Sequence, residues 1–265
     1  MKKLLLSASA VLSILFVTAQ IKQGRVIYER TTKMQGTIKI VGMEDNPAVT
    51  KALSQPKIDR FELVFGNDKS LWQKADDELP ADEMAGGGGI RFMVAGNDDL
   101  TYVDFKSGKK TEQIDIGGNK FIVEDSIKPL HWKLADETKT ILNHLCRKAT
   151  AETIGTKART QMSNGEIKRQ EYTDTTTTTA WFASDIPVFA GPLYPKQLPG
   201  LILELNVNNG RVVYTAIEIA KKADVAKIKL PVKGKKVTIE ELKTEKENLL
   251  KQMINNRGIR VSAGG

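Results

Sequence analysis

Two histidines, one cysteine and a scatter of serines are the residues from which this 265-residue chain would have to build a nucleophilic or metal centre. His131 and His144 stand in no HExxH or other ligand spacing, which argues against a zinc site. Cys146 has no CxxC partner, and no GxSxG elbow, GxxxxGK[ST] loop or GxGxxG turn occurs. The run Gly86 to Gly89 lacks the lysine and helix start that cradle a phosphate, so it reads as a plain loop. Asp76, Asp77, Glu78, Asp82 and Glu83 are acidic enough to attract a cation but lack the Asp-x-Asp-x-Asp-Gly order of a calcium loop. No metal or cofactor is expected. The alternatives to a non-enzymatic binding or accessory protein are a hydrolase or other enzyme with a scattered site around His131 or His144, since triads are defined by geometry and not by order, and a purely structural envelope protein.

Binding is the other chemistry that the residues offer. Lys221, Lys222, Lys227, Lys229, Lys233, Lys235 and Lys236 fall within sixteen positions that hold a single acid, Asp224. This strip suits anionic lipid headgroups or an acidic partner, and equally suits a strand edge kept from aggregating by its lysines. Nucleic acid is not expected as a partner, because no aromatic residues interleave with the basic ones.

The segment Ile186-Pro187-Val188-Phe189-Ala190-Gly191-Pro192-Leu193-Tyr194-Pro195-Lys196-Gln197-Leu198-Pro199-Gly200-Leu201-Ile202-Leu203-Glu204-Leu205 packs four prolines and two glycines ahead of an abruptly apolar strand. Proline fixes φ and glycine permits close backbone approach, so the chain makes a rigid, shaped entry before it pairs. Two readings stay open. Either the loop is a structural plug, or Trp181, Gly191, Pro192, Tyr194, Leu198, Pro199, Gly200, Leu201 and Ile202 form a surface for a ligand or partner.

At Gln197-Leu198-Pro199-Gly200-Leu201-Ile202 the chain resembles the GLPGLI family of secreted envelope proteins. The resemblance also takes in Trp132, Lys139, Ile141, Cys146-Arg147-Lys148-Ala149, Ala180-Trp181, Ile186-Pro187 and Gly191-Pro192, and is clear from Trp132 to Leu205. Gln197 stands where the name-giving first glycine belongs, Pro195 where an aromatic is usual, and Asn143-His144 where Gly-Tyr is expected. Asparagine tolerates left-handed geometry, so a turn ahead of Cys146 survives the last of these. The family transfers no catalytic residues. The family looks like a group encoded near outer-membrane TonB-dependent receptors, which implies an envelope role with an outer-membrane receptor protein as a partner. The strand pattern is also similar to that of periplasmic lipoprotein carriers, which implies an apolar ligand or lipid.

The elements that must position these residues are mostly strands. Apolar and polar residues alternate over Arg25–Arg30, Arg60–Phe65 and Leu100–Phe105. Lys106-Ser107-Gly108-Lys109 and Gly117-Gly118-Asn119 are hairpin turns that extend the last of these into a three-stranded meander through Thr111–Ile116 and Lys120–Glu124. Further strands are expected at Trp132–Leu134, Leu145–Ala151, Lys168–Ala183, Leu201–Val207 and Arg211–Ile219, with Asn208-Asn209-Gly210 a type I′ signal and the five threonines Thr175–Thr179 wet on both faces. Thr238, Glu241, Val237 and Leu242 supply a capping box and staple for one helix, Ile239–Asn255. A shorter helix is expected between Pro47 and Pro56, and a loop over residues 74–89.

Lys2-Lys3 followed by an apolar run from Leu4 to Val17 reads as a signal peptide, cleaved after Ala19. Its removal leaves 38 basic and 32 acidic residues and no later segment apolar enough to span a bilayer. The expectation is therefore an extracytoplasmic, mainly β (α+β) protein. Residues 1–19 are the signal peptide, residues 20–261 a single domain, and residues 262–265 a disordered tail. The domain is a large curved antiparallel sheet or incomplete barrel with the C-terminal helix packed on it. A lone cysteine cannot form an internal disulfide, so Cys146 is expected to be buried and inert.

Overall fold

In β1 (Gly24–Thr32), the alternation read from the sequence places Val26, Tyr28 and Arg30 on one side of the strand, and β3 (Lys57–Gly66) matches them with Leu63, Phe61 and Asp59. The computed structural model describes residues 21–33, 38–40, 55–75, 100–163, 166–257 and 261–263. The expected signal peptide, the short helix between Pro47 and Pro56, and the loop beyond Ala75 with its acidic stretch and Gly86–Gly89 lie outside the described residues.

The other strands of the main sheet are β4 (Lys69–Lys74), β5 (Leu100–Asp104), β6 (Lys109–Ile116), β7 (Asn119–Ser126), β8 (Lys133–Ile141), β9 (His144–Ser163), β10 (Glu166–Ala183), β11 (Leu201–Val207), β12 (Val212–Ala220) and β13 (Lys235–Lys236). Together the twelve strands form one open sheet, ordered β13-β7-β6-β5-β4-β3-β1-β12-β11-β10-β9-β8. Every pairing is antiparallel except β13 with β7. β2 (Ile38–Ile40) pairs with β14 (Val261–Ala263) in a second, two-stranded sheet, so Ser262 and Ala263, expected in a frayed tail, lie in a strand.

Turn chemistry explains the meander. Gly108, Gly117 and Gly118 take positive φ at the β5–β6 and β6–β7 turns, and Asn67 and Asp68 do so between β3 and the unforeseen β4. Asn208 and Asn209 are left-handed as a type I′ turn requires, but the loop between the paired Val207 and Val212 is four residues long.

Helix α1 (Ile239–Arg257) starts as its sequence dictates. The Glu241 amide donates to Thr238 Oγ1 at 3.1 Å, and the Thr238 amide donates to the Glu241 carboxylate at 2.8 Å. Its apolar side, Leu242 with the preceding Val237 and part of Leu249, packs on Ile114, Ile116, Phe121 and Val123 of β6 and β7. None of the described helices is long and apolar enough to cross a membrane.

A single cross-sheet row shows where the core sits. Register aligns Ala149, Ala180, Leu205, Tyr214, Arg30 and Asp59 as successive partners across β9, β10, β11, β12, β1 and β3. All six side chains are buried or nearly so, and Arg30 and Asp59 close the row with an ion pair at 2.7 Å. On the same face Phe61 stacks on Trp72, which also meets Tyr28 and Tyr214. In the threonine run Thr178 is buried, so that stretch of β10 is wet less completely than its composition implies.

Candidate functional site

After Ala183 the chain leaves β10, makes the proline-rich excursion and returns as β11. The excursion folds onto itself. The amide of Leu201 donates to the Ile186 carbonyl at 3.1 Å, that of Ile202 to Ala190 at 3.0 Å, and that of Lys196 to Phe189 at 2.7 Å. Ile186, Ala190 and Leu198 are thereby driven into the core beside Phe182, Leu201, Ile202 and Leu203. From the sheet below, the buried hydroxyl of Tyr28 donates to the Ile202 carbonyl at 2.6 Å. Burial pushes the Tyr28 phenol well above its ordinary range, so it stays a donor.

Both glycines of the loop are fixed by lack of space. A Cβ on Gly200 would lie 2.3 Å from the Ala183 carbonyl oxygen, and one on Gly191, where φ is +151°, would lie 2.6 Å from Cβ of Ile202. Gln197 has an ordinary φ and makes contacts that a glycine has no side chain to make. Its Oε1 accepts from the Leu130 amide at 2.9 Å and from Trp132 Nε1 at 3.0 Å, and its Nε2 donates to the Lys128 carbonyl at 3.2 Å. Tyr194 meets the Trp132 ring edge-on.

Of the residues singled out as a binding surface, Gly191, Pro192, Leu198, Gly200, Leu201 and Ile202 are buried, Trp181 and Tyr194 are half-buried, and Pro199 is exposed. Lys139 Nζ sits 4.5 Å from the Trp181 ring centroid and 2.7 Å from the Glu204 carboxylate, so the Trp181 ring already carries a cation. The seven lysines of the basic strip are all exposed.

His144 Nδ1 lies 2.6 Å from Asp185 Oδ2, while His131 is exposed. The Cys146 thiol donates to the His144 carbonyl and is fully buried, and burial pushes it up to about 11, which keeps it a thiol at neutral pH. No cluster of three or more His, Cys, Asp or Glu able to hold a metal occurs among the described residues.

Several apolar side chains face outward. The β8–β9 turn is made by Leu142 and Asn143, both left-handed, with Leu142 39% exposed. Leu193, also left-handed at φ 60°, is 53% exposed, and Phe189 and Leu145 are exposed as well. The His144–Asp185 contact joins the turn to the start of the loop, so these side chains belong to one end of the sheet. Sequence reading missed Leu142 and Leu193. The only signal was the Asn143 turn, since nothing local marks a leucine for left-handed φ.

The sequence model of a family described as a protein of unknown function (Porph_ging), which is the family of the GLPGLI-type proteins, matches residues 132–204. Two solved structures of PNGF-II are similar to the chain. The one in space group P21 superposes with a TM-score of 0.50 at 14% identity, covering 86% of this chain and 34% of that chain. The one in space group C2 gives 0.49 at 13% identity, covering 87% of this chain and 33% of that chain. The chain thus spans about a third of the length of these structures. No curated protein matches the chain.

Proposed function

We propose that the chain is a non-enzymatic accessory protein of the cell envelope, exported by the segment ending near Ala19, and that it acts by docking on an outer-membrane protein. The observation that carries this reading is the pair Leu142 and Leu193, two exposed leucines held in left-handed backbone. A non-glycine residue there costs on the order of 1 kcal/mol, and at 39% and 53% exposure burial recovers only part of what a buried leucine gains. Asparagine or glycine would relieve the strain. Strain retained together with an apolar surface supports a side chain whose contact lies on another molecule.

Carriage of an apolar ligand is less well supported. The sheet face that would hold a ligand carries Ile186, Ala190 and Leu198 of the loop at one side and α1 at the other.

The test uses the double variant Leu142→Asn/Leu193→Asn, which removes both apolar side chains while easing the backbone. The expected outcome is that chemical cross-linking in native envelopes joins the unaltered chain to an outer-membrane protein. The variant loses that cross-link while its thermal midpoint stays equal or rises. Cross-linking that is indifferent to the variant, or a native mass carrying an apolar adduct and no protein partner, would sink the reading.

A further inference from the structure

The stretch from Lys221 to Lys236 carries the chain from the end of β12 to β13, across to the sheet edge opposite β8. It is a fixed strap and not a loose loop. Asp224 Oδ1 accepts from the Ala226 amide at 3.1 Å, opening a 3-10 turn at Val225–Lys227. Val225 lies over Gly66, where an added Cβ would come within 2.6 Å of it. At the far end Lys235 and Lys236 pair with Phe121 and Ile122, and Pro231 between is buried.

From this strap seven lysines project into solvent, with no arginine among them. Lys235 and Lys236 have carboxylate partners in Glu245 and Glu124. Lys221, Lys222, Lys227, Lys229 and Lys233 have no carboxylate in ion-pair reach among the described residues. Between Lys229 and Lys233, Leu230 is 49% exposed and Val232 77% exposed.

We propose that this strap docks on an anionic bilayer surface, with the five free lysines among the lipid headgroups and Leu230 and Val232 entering the headgroup boundary. Two observations favour a bilayer over an acidic protein. The cations are all lysine, mobile point charges suited to a diffuse layer of phosphates, where paired carboxylates on a protein are better met by arginine forks. The exposed apolar pair has basic residues on both sides, the arrangement in which burial and charge add at a membrane interface. The strap ends at the sheet edge opposite β8 and shares no residue with the docking leucines, so the two proposals stand or fall separately.

The experiment is co-sedimentation of the chain from Gln20 onward with phosphatidylcholine vesicles containing phosphatidylglycerol, and with vesicles of phosphatidylcholine alone. The expected result is binding to the anionic vesicles only, weakened by salt. Lys227→Gln/Lys229→Gln/Lys233→Gln should lose roughly fivefold per lysine, on the order of 100-fold in all. Leu230→Ser/Val232→Ser should weaken binding with the salt dependence retained. All five residues are exposed, so unchanged thermal melts verify the fold. Absence of sedimentation, equal binding to neutral vesicles, or a lysine variant that binds normally would overturn the proposal. Retention on polyglutamate without vesicle binding would also overturn it, in favour of an acidic macromolecule.

Discussion

The indole Nε1 of Trp132 donates to Oε1 of Gln197 across 3.0 Å, tying the residue that precedes β8 to the middle of the proline-rich loop. Because Gln197 also engages Leu130 and Lys128, this one side chain fastens the whole 128–132 segment. Replacing it by the glycine found in the motif removes three hydrogen bonds and loosens the backbone. Gln197→Gly should lower stability by about 1–3 kcal/mol. The emission of Trp132 should shift to the red as its ring gains water. An unchanged denaturation midpoint and spectrum would show that the loop is held by its apolar contacts alone.

Steric room grades the glycines. Gly200→Val drives a branched side chain against the Ala183 carbonyl, a backbone atom that cannot swing aside, so folding itself should fail or lose several kcal/mol. Gly191→Ala meets Ile202 and should cost roughly 2 kcal/mol. Gly210→Ala has open space but φ +86°, and should cost about 1 kcal/mol. Gly155→Ala, in open space within β9, should be neutral or slightly stabilising. Thermal midpoints measured across the four variants check the order. A normal midpoint for Gly200→Val would remove the structural account of the loop.

What the sequence made legible was local. The capping box of α1 formed because Thr238 and Glu241 carry their own partners within four residues. The hairpins formed where glycine or asparagine supplied positive φ. Longer-range facts escaped. β9 and β10 run on well past Ala151 and before Lys168, because a two-stranded ribbon there pairs polar residues and needs no apolar alternation to do so. Gln197 read as a departure from a motif. Its meaning lay in atoms 65 and 67 residues away, which no spacing rule reaches. The buried fate of Leu198, Leu201 and Ile202 was likewise fixed by what folds over them, and an apolar run looks the same whether a ligand or its own chain covers it.

Alkaline stability offers the last test. Cys146, ordinarily near 9.0, is pushed up to about 11 by burial, and burial also raises Tyr28 and Tyr214 from 10.0. Each group is neutral when protonated, and the native state holds its proton where the unfolded chain has released it. Stability should therefore be fully present below about pH 9 and fall as pH rises toward 11. Cys146 alone contributes a slope no steeper than about 1.4 kcal/mol per pH unit. In Cys146→Ala the decline should begin only near pH 10, where the tyrosines take over, and Tyr28→Phe should flatten it further. Urea unfolding across pH 8 to 11 reads these slopes directly. If the wild type and Cys146→Ala decline in parallel between 9 and 10, the thiol is not buried as the structure has it.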